Sequence, residues 1–354
     1  MLGQPQSQVK LGGRVVRACV IRFFQRMRFR SKNSASQPGS RNGVVKKSRR
    51  ASIALLLAAS LYAQSVPTFR AETRLVHVDA EVLEGGRVLN GFGGDDFRVL
   101  DEGEPQPVRH FSAGEDPLDL ILLFDVSGSM QAVVAAVAAA AHEGLQELRA
   151  GDRVCIMTFN TKSQEVAGFT EDLDTVQKTI EENVLRTRFG GGTKIQASVD
   201  DAALRFLREP KNERRRAVLI ITDNMGIRTR REQSVVRDFW EADALLSGLI
   251  VYDKRVRTVH RIGLIMAPDA MLIEAGMKGI AEKTGGDAIS AEDAGAAFQE
   301  SMRRIRARYN LYYEQPAAKP GRRRSIRVEL AGEVARQHPK ARVRARSGYV
   351  VPNS

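Results

Sequence analysis

The sequence predicts an α/β fold: a doubly wound, mostly parallel sheet with helices on both faces, flanked by small β segments. Three observations predict it. From Leu118 onward, short continuous apolar runs alternate with stretches of helical periodicity, the pattern an α/β sheet leaves in sequence. The chain has 354 residues and is 43% apolar, enough to bury a sizeable core. On either side of that region the pattern changes to period-two alternation broken by Gly, Pro and Asp turns.

Taken in order, Val76, Val78, Ala80 and Val82 alternate up to a turn at Gly85-Gly86, and Phe97 and Val99 lead to a turn at Asp101-Glu102-Gly103. Asp95 and Asp96 stand beside glycine, where solvated turn chemistry is expected. Residues 118–124 read as a buried strand, 132–148 as a helix, 153–159 as a strand, and 173–185 and 195–207 as helices. A strand at 218–221, a helix over 233–246, a strand at 249–252 and a helix near 271–283 follow. A short strand at 288–290 and a helix over 294–308 complete the region. The tail alternates again at 310–313, 325–330 and 341–351, and the two β segments could pair. The expected organisation is a basic leader and signal peptide over 1–63, a small β unit over 64–115, the α/β domain over 116–309 and a C-terminal β segment over 310–354.

The formal charge of +13 is local. Residues 1–63 hold thirteen of the 55 basic residues and no acid, leaving 42 basic against 42 acidic residues in the remainder. Without a supporting motif, no nucleic-acid partner is expected. The leader ends in Lys46-Lys47-Ser48-Arg49-Arg50, an apolar run from Ala51 to Leu61, and Tyr62-Ala63-Gln64, which is the form of an export signal. A permanent span needs ~20 apolar residues, so cleavage near Ala63 and no stable membrane span are expected. A periplasmic, envelope or extracellular location follows. An uncleaved anchor is the alternative, because Leu61 is a poor residue three places before the cut. Arg49-Arg50 hints at twin-arginine export, although Ser52 stands where a large apolar residue belongs. Residues 1–43 precede any ordinary signal and suggest that the true start is Met27 or later. Of two cysteines, Cys155 lies in an apolar strand-like run and is expected to be buried and inert.

The chemistry-bearing pattern is Asp125-Val126-Ser127-Gly128-Ser129, between the first buried strand and the first helix, where parallel sheets place their binding sites. One carboxylate and two hydroxyls at this spacing can face a common point, and hard oxygen donors suit Mg²⁺, Mn²⁺ or Ca²⁺. Asp and Ser before a helix are also ordinary caps. Gly190-Gly191-Gly192-Thr193 precedes another helix, and Ile220-Ile221-Thr222-Asp223 ends another buried strand, both at the same sheet edge.

With these three pieces the chain resembles the von Willebrand factor A domain and its integrin-type relatives, whose metal-ion-dependent adhesion site joins Asp-x-Ser-x-Ser to a distant Thr and Asp. The resemblance implies a metal site at Asp125, Ser127, Ser129, Thr193 and Asp223. Ser127 and Ser129 would ligate through their hydroxyls, Asp125 and Asp223 directly or through water, and Thr193 by either route. A divalent cation, Mg²⁺ first and Mn²⁺ or Ca²⁺ as alternatives, would keep one position open for an acidic side chain of a protein ligand. Asn224 departs from the pattern, since relatives often have Gly there. Asp96-Phe97-Arg98-Val99, Asp101 to Gln106, and Arg344-Ala345-Arg346-Ser347-Gly348-Tyr349 resemble the A-domain-related proteins described mainly from acidobacteria.

A structural or assembly component of the envelope, with the cation only ordering loops, is the closer alternative. A metal-dependent hydrolase is the more distant one. No Gly-x-Ser-x-Gly elbow or Gly-x-x-x-x-Gly-Lys loop is present, and His77, His110, His142, His260 and His338 lack metal-ligand spacing, so no enzyme is expected. The basic runs 214–216, 303–304 and 322–324 read as solvated loops and helix faces.

Overall fold

The computed structural model describes residues 74–210, 213–227, 229–251 and 273–353. The chain divides into two units, Met1–Ala71 and Glu72–Ser354, and all described residues belong to the second. The leader with its expected cleavage point, and the ends of the predicted 249–252 strand and 271–283 helix that fall within 252–272, lie outside the described residues.

Five strands come first: β1 (Leu75–Glu84), β2 (Arg87–Leu89), β3 (Phe97–Asp101), β4 (Glu104–Gln106) and β5 (Val108–Ala113). The α/β region follows with β6 (Leu118–Asp125), α1 (Gln131–Ala139), α2 (Ala141–Leu145), β7 (Arg153–Phe159), β8 (Ser163–Thr170), α3 (Leu173–Thr179) and α4 (Ile195–Phe206). It continues with β9 (Arg215–Thr222), β10 (Met225–Gly226), α5 (Glu232–Glu241), β11 (Leu245–Val251), β12 (Ile273–Glu274), α6 (Met277–Thr284), β13 (Ala288–Ala291) and α7 (Ala294–Arg306). The chain ends with β14 (Tyr309–Glu314), β15 (Arg323–Leu330), α8 (Gly332–Gln337), β16 (Arg342–Ala345) and β17 (Gly348–Val350).

Strand β6 is buried at every position because helices cover both faces of the sheet it centres. The strand order is β13-β11-β9-β6-β7-β8, parallel except for β8, which runs antiparallel to β7 at one edge. Period-two geometry sends Leu120, Leu122 and Phe124 into a core with α1, α2, α3 and α7, and Ile121 and Leu123 into another with α4, α5 and α6. The fold is thus the doubly wound α/β arrangement expected. Cys155 lies buried in the second layer, where desolvation pushes its thiol up to about 12, beyond nucleophilic use at neutral pH.

Several elements differ from expectation: the 271–283 helix begins only at Met277, after the short strand β12, α8 interrupts the β tail, and the 341–351 strand is split into β16 and β17. The 132–148 helix divides at Ala140, where Gly295 of α7 packs so closely that a Cβ on it would lie 3.1 Å from the Ala140 Cβ. The 233–246 helix stops at Glu241, because Asp243 turns to φ +52° and Leu245 and Leu246 enter β11. Strand β8 was not expected: only its edge faces β7, and its mixed polar sequence carries no full-burial signal.

The flanking segments do not form two separate units. Antiparallel β1 pairs with β14 and β16, and β15 pairs with β3 and β17, so 74–113 and 309–351 build one two-sheet β unit. Its core includes Val78, Val82, Phe97, Val99, Tyr309, Leu311 and Tyr313. The α/β domain is inserted between β5 and β14, which pair with Ala113 opposite Tyr309.

The expectation of solvated arginines fails at Arg215 and Arg304, where the α/β domain meets the β unit, at Arg216 within the α/β domain and at Arg324 within the β unit. Arg215 is 1% exposed and donates to Asp79 at 2.6 and 2.8 Å, while Arg304 donates to Glu81 at 2.8 and 2.9 Å. Arg216 donates to the Ala242 carbonyl, and Arg324 pairs with Asp101 at 2.7 Å. Burial requires partners for these charges, and the partners lie far away in sequence, on β1, β3 and the turn before β11. Burial alone would raise Asp79 and Glu81, but the surrounding arginines outweigh it and hold both below the usual carboxylate range.

Candidate functional site

The site grows from the carboxyl ends of β6 and β9, adjacent parallel strands that bring Asp125 and Asp223 to one edge. Asp125 is fully buried. Its Oδ1 accepts from the Ser127 N–H at 2.9 Å and its Oδ2 from the Thr222 hydroxyl at 2.8 Å. The Ser127 and Ser129 Oγ atoms lie 3.3 Å apart, and Ser129 Oγ donates to Asp223 Oδ2 at 2.7 Å. Asp223 Oδ1 accepts from the Met225 N–H at 2.9 Å. Four of the five expected residues are thereby joined in one hydrogen-bonded cluster.

Thr193 comes in on the neighbouring glycine loop, 5% exposed. That loop is laced to the site: Gly190 N–H donates to the Val126 carbonyl at 3.0 Å, and Asn160 donates through Nδ2 to the Gly190 carbonyl at 3.1 Å. Ile227 N–H donates to the Thr193 carbonyl at 2.9 Å. Gly226 permits this approach, since a Cβ there would sit 2.8 Å from that same carbonyl oxygen. Thr222 and Asn160 were not singled out from sequence. Thr222 had a local signal in its place beside Asp223, whereas Asn160 had none.

Helix capping does not account for the cluster. The N-cap of α1 is Met130, no side chain caps it, and the Asp125 carboxylate is used inside the loop. Burial first, and then the neighbouring charge of Asp223, push the Asp125 carboxyl up to about 6. Among the described residues no Lys or Arg forms an ion pair with Asp125 or Asp223. Two carboxylates and two hydroxyls without a counter-charge fit a hard divalent cation. Asn224 keeps the glycine-like path, with φ +60°. Its carbonyl accepts from Ala275 N–H at 3.0 Å and its side-chain oxygen from Met277 N–H at 3.4 Å, which ties the Asp223 loop to α6.

Residues 120–226 match the family model described as the von Willebrand factor type A domain. The chain carries a von Willebrand factor type A domain. The match runs from β6 to β10 and includes all five predicted ligand positions. No curated protein matches the chain. Similar solved structures include an aerotolerance-related membrane protein from Bacteroides fragilis (14% identity, 53% of this chain and 98% of that one, TM-score 0.40). The conserved hypothetical protein BatB from Bacteroides thetaiotaomicron is similar at 16% identity, over 53% and 97% of the chains, with TM-score 0.39. A von Willebrand factor type A protein from Catenulispora acidiphila aligns at 11% identity over 81% and 76%, with TM-score 0.40.

Thr229 and Arg230 are tied to α4. Gln196 Oε1 accepts the Thr229 and Arg230 N–H groups at 3.2 and 3.1 Å, and Arg230 pairs with buried Asp200 at 2.7 Å. Desolvation, with the neighbouring Asp238 carboxylate on α5, pushes Asp200 up to about 7. An unfolded aspartate titrates near ~4. Between these values the folded chain holds a proton that the unfolded chain has released, so this group makes stability fall as pH rises from about 4 to about 7. Asp200→Asn should therefore flatten that fall and gain about 1–2 kcal/mol at pH 8. Urea melts at pH 5 and pH 8 check it; an unchanged difference between the two pH values would refute the assignment.

Proposed function

We propose that this A domain is a divalent-cation-dependent protein-binding module, exported to the periplasm, envelope or exterior. Asp125, Ser127, Ser129, Thr193 and Asp223 would hold the cation, with Mg²⁺ first and Mn²⁺ or Ca²⁺ as alternatives. The observation that carries this is the convergence of Asp125, Ser127, Ser129 and Asp223 in one buried, hydrogen-bonded cluster without a counter-charge. When bound, the cation supplies an open coordination position for an acidic side chain of a partner. The protein residues fix the two carboxylates at adjacent strand ends and brace them through Thr222 and Asn224. Nothing in this function requires catalysis. Export rests on the pattern of residues 46–63. No helix among the described residues is long and apolar enough to cross a membrane.

Calorimetry on the full-length chain with Mg²⁺, Mn²⁺ and Ca²⁺ tests the proposal. One cation should bind and raise the melting temperature, and Asp125→Ala combined with Asp223→Ala should abolish both effects while leaving a folded protein. Folded wild type that binds none of the three would remove the cation-dependent function. A cation that stabilises the chain without supporting partner binding would favour a metal-ordered structural component of the envelope.

A further inference from the structure

The loops around the proposed cation carry charge of one sign. They are residues 126–130, 160–162, 185–194 and 223–231, and the only carboxylate in all of them is Asp223, already assigned to the cation. Lys162, Arg186, Arg188, Lys194 and Arg231 are all exposed. None forms an ion pair with a carboxylate among the described residues. Some exposed cations elsewhere stand next to carboxylates on their own or a neighbouring helix, as Arg237 does with Glu241, Arg303 with Glu300, Arg336 with Glu333, and Lys283 with Glu232; the loops around the site offer no such carboxylate. Arg230, in the same loops, is taken by Asp200. Lys162, Arg186, Arg188, Lys194 and Arg231 thus stand in loops whose one carboxylate, Asp223, is given to the cation.

The loops also hold together as one surface. Lys194 N–H donates to the Asn160 carbonyl at 2.9 Å, and a Cβ on Gly192 would lie 3.8 Å from Thr161 and 3.9 Å from Ile227. Lys194 sits at the N-terminus of the twelve-residue α4, whose dipole adds to the positive potential. Ile227, 39% exposed, places an apolar side chain beside the site.

We propose that the partner of this site is an acidic polypeptide segment with several carboxylates around an apolar residue, rather than a lone acidic side chain. The inference rests on the cation-dependent function proposed above. One carboxylate completes the metal shell, and its neighbours meet the basic ring of Lys162, Arg186, Arg188, Lys194 and Arg231. Ile227 favours a peptide over an anionic polysaccharide or polyphosphate, which would leave an apolar contact unused. Like-charge repulsion within the ring is relieved by such a ligand and strengthened by a basic one, so the ring selects as well as attracts.

Fluorescence anisotropy on the full-length chain with Mg²⁺ tests this with two labelled ten-residue peptides: one with a single Asp among Gly and Ser, one with four Asp or Glu flanking a Leu. The multi-acid peptide should bind about tenfold tighter at about 50 mM salt, and the advantage should shrink at about 300 mM. The triple variant Lys162→Gln/Arg188→Gln/Lys194→Gln should lose that advantage with an unchanged melting temperature, and Lys162→Arg/Lys194→Arg should keep it. Equal affinities for the two peptides, or an advantage surviving the triple variant, would overturn the basic-ring assignment. Polyphosphate or a polyuronate displacing the peptide at equal charge concentration would overturn the choice of a peptide. Asp125→Ala/Asp223→Ala should weaken both peptides alike. If it weakens neither, the cation-dependent function fails while the ring is judged separately on its own variants.

Discussion

Glu81→Gln is expected to destabilise the folded chain by about 3–5 kcal/mol, the usual cost of removing one partner from a buried ionic cluster. Glu81 is 2% exposed at the centre of β1 and receives Arg304 at 2.8 and 2.9 Å and Arg344 at 2.7 Å, with Arg308 4.0 Å away. Arg304 and Arg344 retain Asp287 as a second partner, at 2.5 and 3.1 Å. Arg308, 1% exposed, keeps only a carbonyl contact with Gly285 and the more distant field of Asp79. The loss therefore concentrates on Arg308, whose guanidinium must stay charged without its nearest carboxylate. Urea unfolding of Glu81→Gln beside Arg303→Gln, an exposed pair on the same helix as Arg304, measures the contrast. A Glu81→Gln effect below about 1 kcal/mol would mean that water reaches the cluster and that the seam is not a dry ionic core.

Gly286→Ala should be the most damaging methyl addition at any glycine among the described residues, at about 3 kcal/mol or more. Gly286 lies between α6 and β13, and a Cβ there would fall on the Leu246 carbonyl, 2.5 Å from its carbon. The obstacle is backbone of β11, so no rotamer change relieves it. The same turn docks β13 on β11 through the Gly248 N–H to Asp287 carbonyl bond of 2.7 Å, and Asp287 carries Arg304 and Arg344. Displacing it would loosen the sheet edge and the ionic seam together. Gly93→Ala is the matched control, because its nearest contact would be the flexible end of Asp96 at 3.8 Å. Melting temperatures of the two variants should differ by several degrees; equal values would show that the turn yields without cost.

The α/β fold and the four residues of the hydrogen-bonded cluster, Asp125, Ser127, Ser129 and Asp223, were legible in the sequence for the same reason. A strand buried on both faces is a continuous apolar run, and a binding loop at its carboxyl end must stand directly after it, as at Phe124-Asp125 and Ile221-Thr222-Asp223. What stayed hidden depends on contacts distant in sequence. The division at Ala140 falls where Gly295, more than a hundred residues later, packs against the helix. Leu245 and Leu246 fit either a helix face or a strand, and only the left-handed Asp243 decides between them. Arg215 looks like any member of a surface basic run until Asp79 on β1 is placed against it. Strand β8 needs no apolar pattern because solvent covers one side of it.

The insertion of the A domain between β5 and β14 also fixes an order of assembly during synthesis. Strand β1 emerges from the ribosome early, but except for the short hairpin with β2 its partners, β14 and β16, are translated only after the entire A domain. The A domain has its own sheet and can close while β1 still waits with its backbone N–H and C=O groups unsatisfied. Completion of the β unit is then a late, non-local event with a large loop already tied off, and pairing of this kind is slow. Through that interval the edges of β1 are the nascent chain's point of exposure to mispairing with another strand or another copy.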